Sequence, residues 1–370
     1  MALMATPALP AQLRQVYAVA MRDVPANGHE RATHEWLART VARLLRLPYA
    51  GSAVNAQTVD AYCVPDDTLD LASAQRLGIT DSSHLLGGVV PFAFLATKAV
   101  VHPLVPGAQV AVMGWNEALA QELADDTLPG YTAFCASDAR RAFALLGGAG
   151  RVRLKLPTGV GGRGQWWLRD EATLHQALAS LPDEYVARHG VVLEANLVQL
   201  VTFSVGEVEI GGQSIAYHGT QTTTADREGR QVYGGSDLDV LRGTLDQLLE
   251  QELPPAQAEA VRAALAFDRK LRSAYPQLCL SRRNYDVARG IDSDGRARCG
   301  VLEQSWRIGG ATPAELGALE LFAREPDVAR VHAATRELHG QSAPPGAQVY
   351  FSGDDPRLGP LVKYLTVTAA

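Results

Sequence analysis

The chain has 370 residues and a mass of 39.6 kDa, too long for one small core, so two or three packed lobes are expected. Hydrophobic residues make up 47% and charged residues 20%, the balance of a folded globular protein and not of a disordered one. A net charge of -6 and a pI near 5.9 give no general attraction for phosphate backbones, which argues against a nucleic-acid partner and requires any nucleotide to find a local basic pocket.

An apolar run at 16–21, a turn and a helical pattern over 30–47, with Trp36, Leu37, Val41, Leu44 and Leu45 on one side, make a strand–loop–helix start. Apolar runs at 58–64 and 88–95, with a helical stretch at 69–77 between them, continue an α/β pattern to about residue 106 and define a first lobe, 1–106. A second lobe, 107–197, follows from a strand beginning at Tyr131, a helix capped by Ser137, strands at 152–156 and 165–168 around a glycine run, a helix capped by Asp170, and a strand at 191–194. The third, 198–370, opens with strands at 203–210 and 214–219 and passes through helices at 243–252 and 255–275. Strands at 278–287 and 297–305 then flank the turn sequence at 290–295, and helices at 313–324 and 326–338, a strand at 347–351 and a proline-containing tail complete the chain. No internal repeat is present.

Cys63, Cys135, Cys279 and Cys299 lie far apart, without C-x-x-C spacing, and read as reduced thiols. No stretch approaches the roughly 20 apolar residues of a membrane span, and the first residues lack a secretory pattern, so a cytoplasmic protein without a membrane partner is expected.

The strongest local motif is Lys155-Leu156-Pro157-Thr158-Gly159-Val160-Gly161-Gly162-Arg163-Gly164. A dinucleotide fingerprint needs a helix after its glycines, and a Walker A loop ends in Gly-Lys-Ser/Thr; here a strand follows and the lysine comes first. The pattern fits either a flexible hairpin or a glycine turn whose N–H groups fold over phosphates, with Lys155 adding positive charge. Asp286 and Glu303 fall on two strands of one hairpin, where two carboxylates can share a face and hold Mg²⁺ against nucleotide phosphates. Arg282 and Arg283 read as the lining of an anionic pocket or as a solvated pair, and Arg283 stands with Arg307 as a candidate catalytic arginine. His29 and Glu30 read first as a helix cap and second as pocket-lining residues. The polar stretch at 220–230 reads as a substrate loop or a hairpin turn.

In order along the chain, Lys98, Lys155 with its glycines, Val191-Val192-Leu193-Glu194, Asp286 and Leu302-Glu303-Gln304-Ser305 resemble the ATP-grasp superfamily. More narrowly, Gly28-His29-Glu30-Arg31, Tyr233-Gly234-Gly235-Ser236-Asp237 and Glu303-Gln304-Ser305-Trp306-Arg307-Ile308-Gly309-Gly310 look like a bacterial family known only as a domain of unknown function. The superfamily resemblance implies an α/β (α+β) ATP-grasp fold, with an N-terminal Rossmann-like lobe and two α+β lobes enclosing the nucleotide. It implies that Lys98 and Lys155 contact phosphates, that Gly159, Gly161 and Gly162 cover them, and that Glu194 and the backbone at Leu197 hold adenosine. Asp286, Glu303 and Ser305 would bind Mg²⁺, with Ser305 where the superfamily carries asparagine, and Arg307 would steady an acyl-phosphate or a substrate carboxylate. The implied activity is ATP- and Mg²⁺-dependent ligation of a small-molecule carboxylate to an amine, or to a thiol, through an acyl-phosphate; the alternative is a nucleotide- or metabolite-binding protein without turnover. Members of this architecture often form a homodimer.

Overall fold

The structure, a computed structural model, describes residues 13–21, 27–54, 60–159, 164–225, 229, 231–355 and 358–370. In the first lobe, β1 (Gln15–Ala20) runs parallel to both neighbours, β2 (Tyr49–Val54) and β3 (Ala61–Pro65). The crossover is α1 (Gly28–Leu45), started by Asn27, whose side chain accepts from the Glu30 N–H while the Glu30 carboxylate accepts from the Asn27 N–H. Its buried Leu37, Val41 and Leu45, spaced four apart, face one side. They join Val208, Ile215, Leu319 and Phe322 in a single core, which welds the first lobe to the third. The lobe continues through β4 (Leu69–Asp70), α2 (Leu71–Arg76) and β5 (Gly88–Val90).

The second lobe holds α3 (Glu117–Glu122), β6 (Gly130–Ala133), α4 (Ala136–Leu145), β7 (Val152–Lys155), β8 (Gln165–Leu168), α5 (Glu171–Ala179), α6 (Asp183–His189) and β9 (Val191–Ala195). Its strands form one antiparallel sheet in the order β6-β9-β7-β8, with a core of its own under α4 and α5. Asp170 caps α5, accepting from the Thr173 N–H at 2.7 Å. Ser137 does not cap α4: the N-cap is Cys135, without a side-chain cap bond, and Ser137 donates to Gln109 instead.

The third lobe is larger than its sequence pattern suggests. It comprises β10 (Val198–Ile210), β11 (Gln213–Ala225), β12 (Gln231–Arg242), α7 (Leu245–Leu249), α8 (Pro255–Ala274), β13 (Cys279–Leu280), β14 (Arg282–Ile291), β15 (Ala297–Ser305), α9 (Thr312–Arg324), β16 (Arg330–His339), β17 (Gln348–Asp355) and β18 (Gly359–Ala369). Eight of these strands make one sheet, β15-β14-β10-β11-β12-β16-β18-β17, and β13 instead pairs with β5 of the first lobe. The expected helix at 326–338 is mostly the strand β16, and the expected tail contributes β18, inserted between β16 and β17. Residues 220–225 extend β11 as strand and not as loop.

One face of the eight-stranded sheet takes α8, through Val261, Ala264 and Leu271 against Val205, Tyr285 and Val287. The opposite face takes α9 and α1. At Gly317 on α9 a β-carbon would lie 2.6 Å from Leu365 and 2.9 Å from Val367, so this glycine sets how closely α9 meets β18. No described helix is long and apolar enough to cross a membrane.

Candidate functional site

Strand parity builds the site. β14 and β15 pair antiparallel, with Asn284 opposite Ser305 and Asp286 opposite Glu303, and directly paired residues share a face. These four side chains therefore project together into one cleft of about 620 Å³ between the second and third lobes, which α1 also lines. Asp286 accepts from Gln221 Nε2 at 2.8 Å and from Asn284 Nδ2 at 3.1 Å. Loss of water, and then the neighbouring Glu303, push its carboxyl up to about 7. Two carboxylates this close favour a cation between them.

Both lysines reach the cleft. Lys98 ion-pairs with Glu303 and donates to the Gly159 carbonyl at 2.6 Å, so it bridges the carboxylate pair and the glycine turn. Lys155, at the end of β7, is 4% exposed and ion-paired to Glu194 on the adjacent β9. The other Glu194 oxygen meets His102 Nε2 at 3.2 Å. Burial alone would raise the Glu194 carboxyl; Lys155 and His102 outweigh it and hold the group down at about 2. Glu194 is thus an internal counter-ion that fixes Lys155, with its carboxylate 2% exposed and occupied. Leu197 packs with Leu128, Ala288 and Leu302 into an apolar pad in the same cleft. Gly159 lines the cleft, while Gly161 and Gly162 lie outside the described residues.

The two candidate arginines separate. Arg307 lines the cleft and donates to the Ile308 carbonyl at 3.0 Å. Arg283 does not: on β14 it alternates with Arg282 and Asn284 and faces α8, pairing with Asp268 of that helix at 2.8 Å and with Glu207 of the neighbouring β10. Its neighbour Arg282 takes the cleft-facing parity. Arg282, 2% exposed, makes two 2.7 Å bonds to Glu315 of α9 and donates to the carbonyls of Ser305 and Arg307. The Tyr217 hydroxyl lies 2.7 Å from Glu315 and 2.8 Å from Asn284 Oδ1 and has one proton to share between these two acceptors, and burial with Glu315 nearby pushes its phenol well up, so it keeps that proton. This buried set fixes the backbone under Ser305 and Arg307 and orients the Asn284 amide toward Asp286. Asn284, Arg282 and Gln221 share the parity or the neighbourhood of Asp286; His102 has no local sequence signal at all.

The donor set fits Mg²⁺ when phosphates are present. Among the described residues no group of three or more His, Cys, Asp or Glu could enclose a metal. Asp286 and Glu303 form a two-carboxylate platform, the arrangement in which Mg²⁺ keeps water and takes its remaining ligands from phosphate oxygens. Ser305 lies beside it and supplies a hydroxyl.

This chain, whose sheets enclose a cleft with Gly159 on one side and carboxylates on paired strands opposite, has the ATP-grasp fold. N5-carboxyaminoimidazole synthetase from Staphylococcus aureus superposes with a TM-score of 0.54 at 12% identity, covering 96% of this chain and 94% of its own. Biotin carboxylase from Campylobacter jejuni (TM-score 0.53, 12% identity, 96% and 87% covered) and phosphoribosylamine–glycine ligase from Thermotoga maritima (0.50, 14%, 96% and 92%) share the fold. Over residues 16–365 the chain belongs to the family described as "Protein of unknown function (DUF3182)". No curated protein matches it by sequence.

Proposed function

We propose that the protein is an ATP-dependent ligase that activates a small-molecule carboxylate as its acyl-phosphate and joins it to an amine. The observation that carries this reading is the meeting, in one cleft, of the Asp286–Glu303 pair, Lys98, Lys155 and the apolar pad around Leu197. Adenine suits the pad, and the lysines suit the phosphates at its edge. The Staphylococcus neighbour is a complex with ADP, which supports a nucleotide as the ligand.

Asp286 and Glu303 would hold Mg²⁺, which supplies charge neutralisation for the β- and γ-phosphates. The protein's own part is positioning. Glu194 holds the Lys155 ammonium in place, and Arg282, fixed by Glu315, holds the backbone at Ser305 and at Arg307, two residues past the end of β15. A guanidinium there suits a planar substrate carboxylate. The carboxylate oxygen attacks the γ-phosphorus, the bond to the bridging oxygen breaks, and ADP leaves. The amine nitrogen then bonds to the acyl carbon as the C–O bond to phosphate breaks, and the amine gives up a proton.

The test is Mg²⁺-dependent ADP release across pooled carboxylates with and without amines, comparing wild type with Lys155→Ala and Glu303→Ala. Release that requires a carboxylate and disappears in both variants is expected. Tight ATP binding with no release under any pool removes the ligase reading.

A further inference from the structure

At the nucleotide end of the cleft, Arg153 is held by neutral groups. On β7 the residues alternate: Val152 and Leu154 enter the core under α4 and α5, while Arg153 and Lys155 line the cleft. Lys155 is paired with Glu194. Arg153 stands opposite Glu194 in the β7–β9 register, yet it makes no ion pair among the described residues. Its Nε and Nη2 donate to Asn196 Oδ1 at 3.1 and 3.0 Å, and its Nη1 donates to Gln165 Oε1 at 3.1 Å. Three bonds to two amide oxygens fix the plane of the guanidinium without cancelling its charge. Asn196 is itself fixed, since its N–H donates to the Arg151 carbonyl at 2.8 Å.

Place decides what this charge meets. Asn196 is the chain neighbour of Leu197, whose pad with Leu128, Ala288 and Leu302 lines the same cleft. Two residues of strand put Arg153 about 7 Å further than Lys155 from the glycine run. It therefore lies toward the pad and away from the turn that suits phosphates. A small anion held there would leave the pad unused. An aromatic ring uses both, with aliphatic carbon on one side and a guanidinium plane to stack on another.

We propose that Arg153 is a specificity residue for the nucleobase, its guanidinium lying against the face of a purine that also contacts the Leu197 pad. This role deepens the ligase reading and rests on it. A fixed planar cation gains more from a larger π surface, so it selects purine over pyrimidine nucleotides.

The test is calorimetry on the full chain with Mg²⁺ and ADP, GDP, UDP or CDP, which share one diphosphate and differ in the base. The better purine diphosphate should bind wild type about tenfold more tightly than either pyrimidine one, and that ratio should narrow by about fivefold in Arg153→Met and in Arg153→Lys. The lysine keeps the charge and loses the plane. A ratio taken within one protein is unmoved by a general loss of stability or of phosphate contact, and if Arg153→Met does not fold, Arg153→Lys gives the same readout. Wild type that binds all four alike, a ratio unchanged in both variants because all four weaken equally or none does, or full preference retained by Arg153→Lys would overturn the role of Arg153 and leave the nucleotide reading standing. Absence of binding by any of the four to wild type would sink the nucleotide reading itself.

Discussion

The two ends of the cleft hold their polar side chains differently. At the end where the nucleotide is proposed, the nucleotide end, both lysines are matched: Lys155 by Glu194, and Lys98 by Glu303. At the far end the imidazole of His29 is buried and neither ring nitrogen has a hydrogen-bond partner among the described residues. The first end fixes its lysines by internal pairing and the second leaves a polar ring unmatched, which teaches that one cleft can combine satisfied and unsatisfied polar groups.

The largest effect that tests this contrast is at Lys155 and Glu303. Alanine at either should weaken Mg²⁺-dependent nucleotide turnover by about a hundredfold or more, read by steady-state kinetics. Unchanged turnover in both variants would remove the nucleotide end from the reaction. Next comes Glu194. Its carboxyl is depressed from 4.5 to about 2, which corresponds to about 3 kcal/mol of stability. Because the folded-state value is the lower one, this stability is present above pH 4.5 and is lost as the pH falls toward 2. Urea unfolding of wild type and Glu194→Gln should therefore differ by about 3 kcal/mol at pH 7, and the two should converge in acid.

Arg283→Met sharpens the same contrast from outside the cleft. Breaking its pairs with Asp268 and Glu207 should cost about 3 kcal/mol in unfolding, with ADP affinity unchanged by calorimetry. A large loss of ADP affinity would return Arg283 to the site. Leu197→Ala trims the apolar pad and should weaken ADP about tenfold, measured by calorimetry. The smallest change is expected at Ser305→Asn, which should improve Mg²⁺ dependence by about threefold through a longer oxygen ligand, seen as a lower Mg²⁺ requirement for ADP release.

The sequence carried the nucleotide end better than the far end, for physical reasons. The glycine turn needs its residue type, and Asp286 and Glu303 sit on strands whose alternation is visible locally. The same alternation distinguishes Arg282 from Arg283, since Asp286 fixes which parity faces the cleft; the signal was present and only the face assignment was missed. β16 is different. Its segment Arg330-Val331-His332-Ala333-Ala334-Thr335-Arg336-Glu337-Leu338 is rich in helix formers, and pairing with β12 and β18 on both sides overrides that preference. Without β16 and β18 as strands, Glu337 and Lys363 could not be placed beside α1, so the far end was invisible. His102 meets Glu194 across 92 positions of chain, a separation that leaves no periodic trace.

Lys98 holds Glu303 with its ammonium while donating to the carbonyl of Gly159. Under the proposed function Lys98 is the stand-in for a cation at Glu303, tethered to Gly159 at the head of the glycine run. Ligand entry would then be an exchange of counter-ions and not an addition of charge: the lysine released from Glu303 would be the one set free to meet a phosphate, so the binding of cation and nucleotide should be coupled through a single side chain.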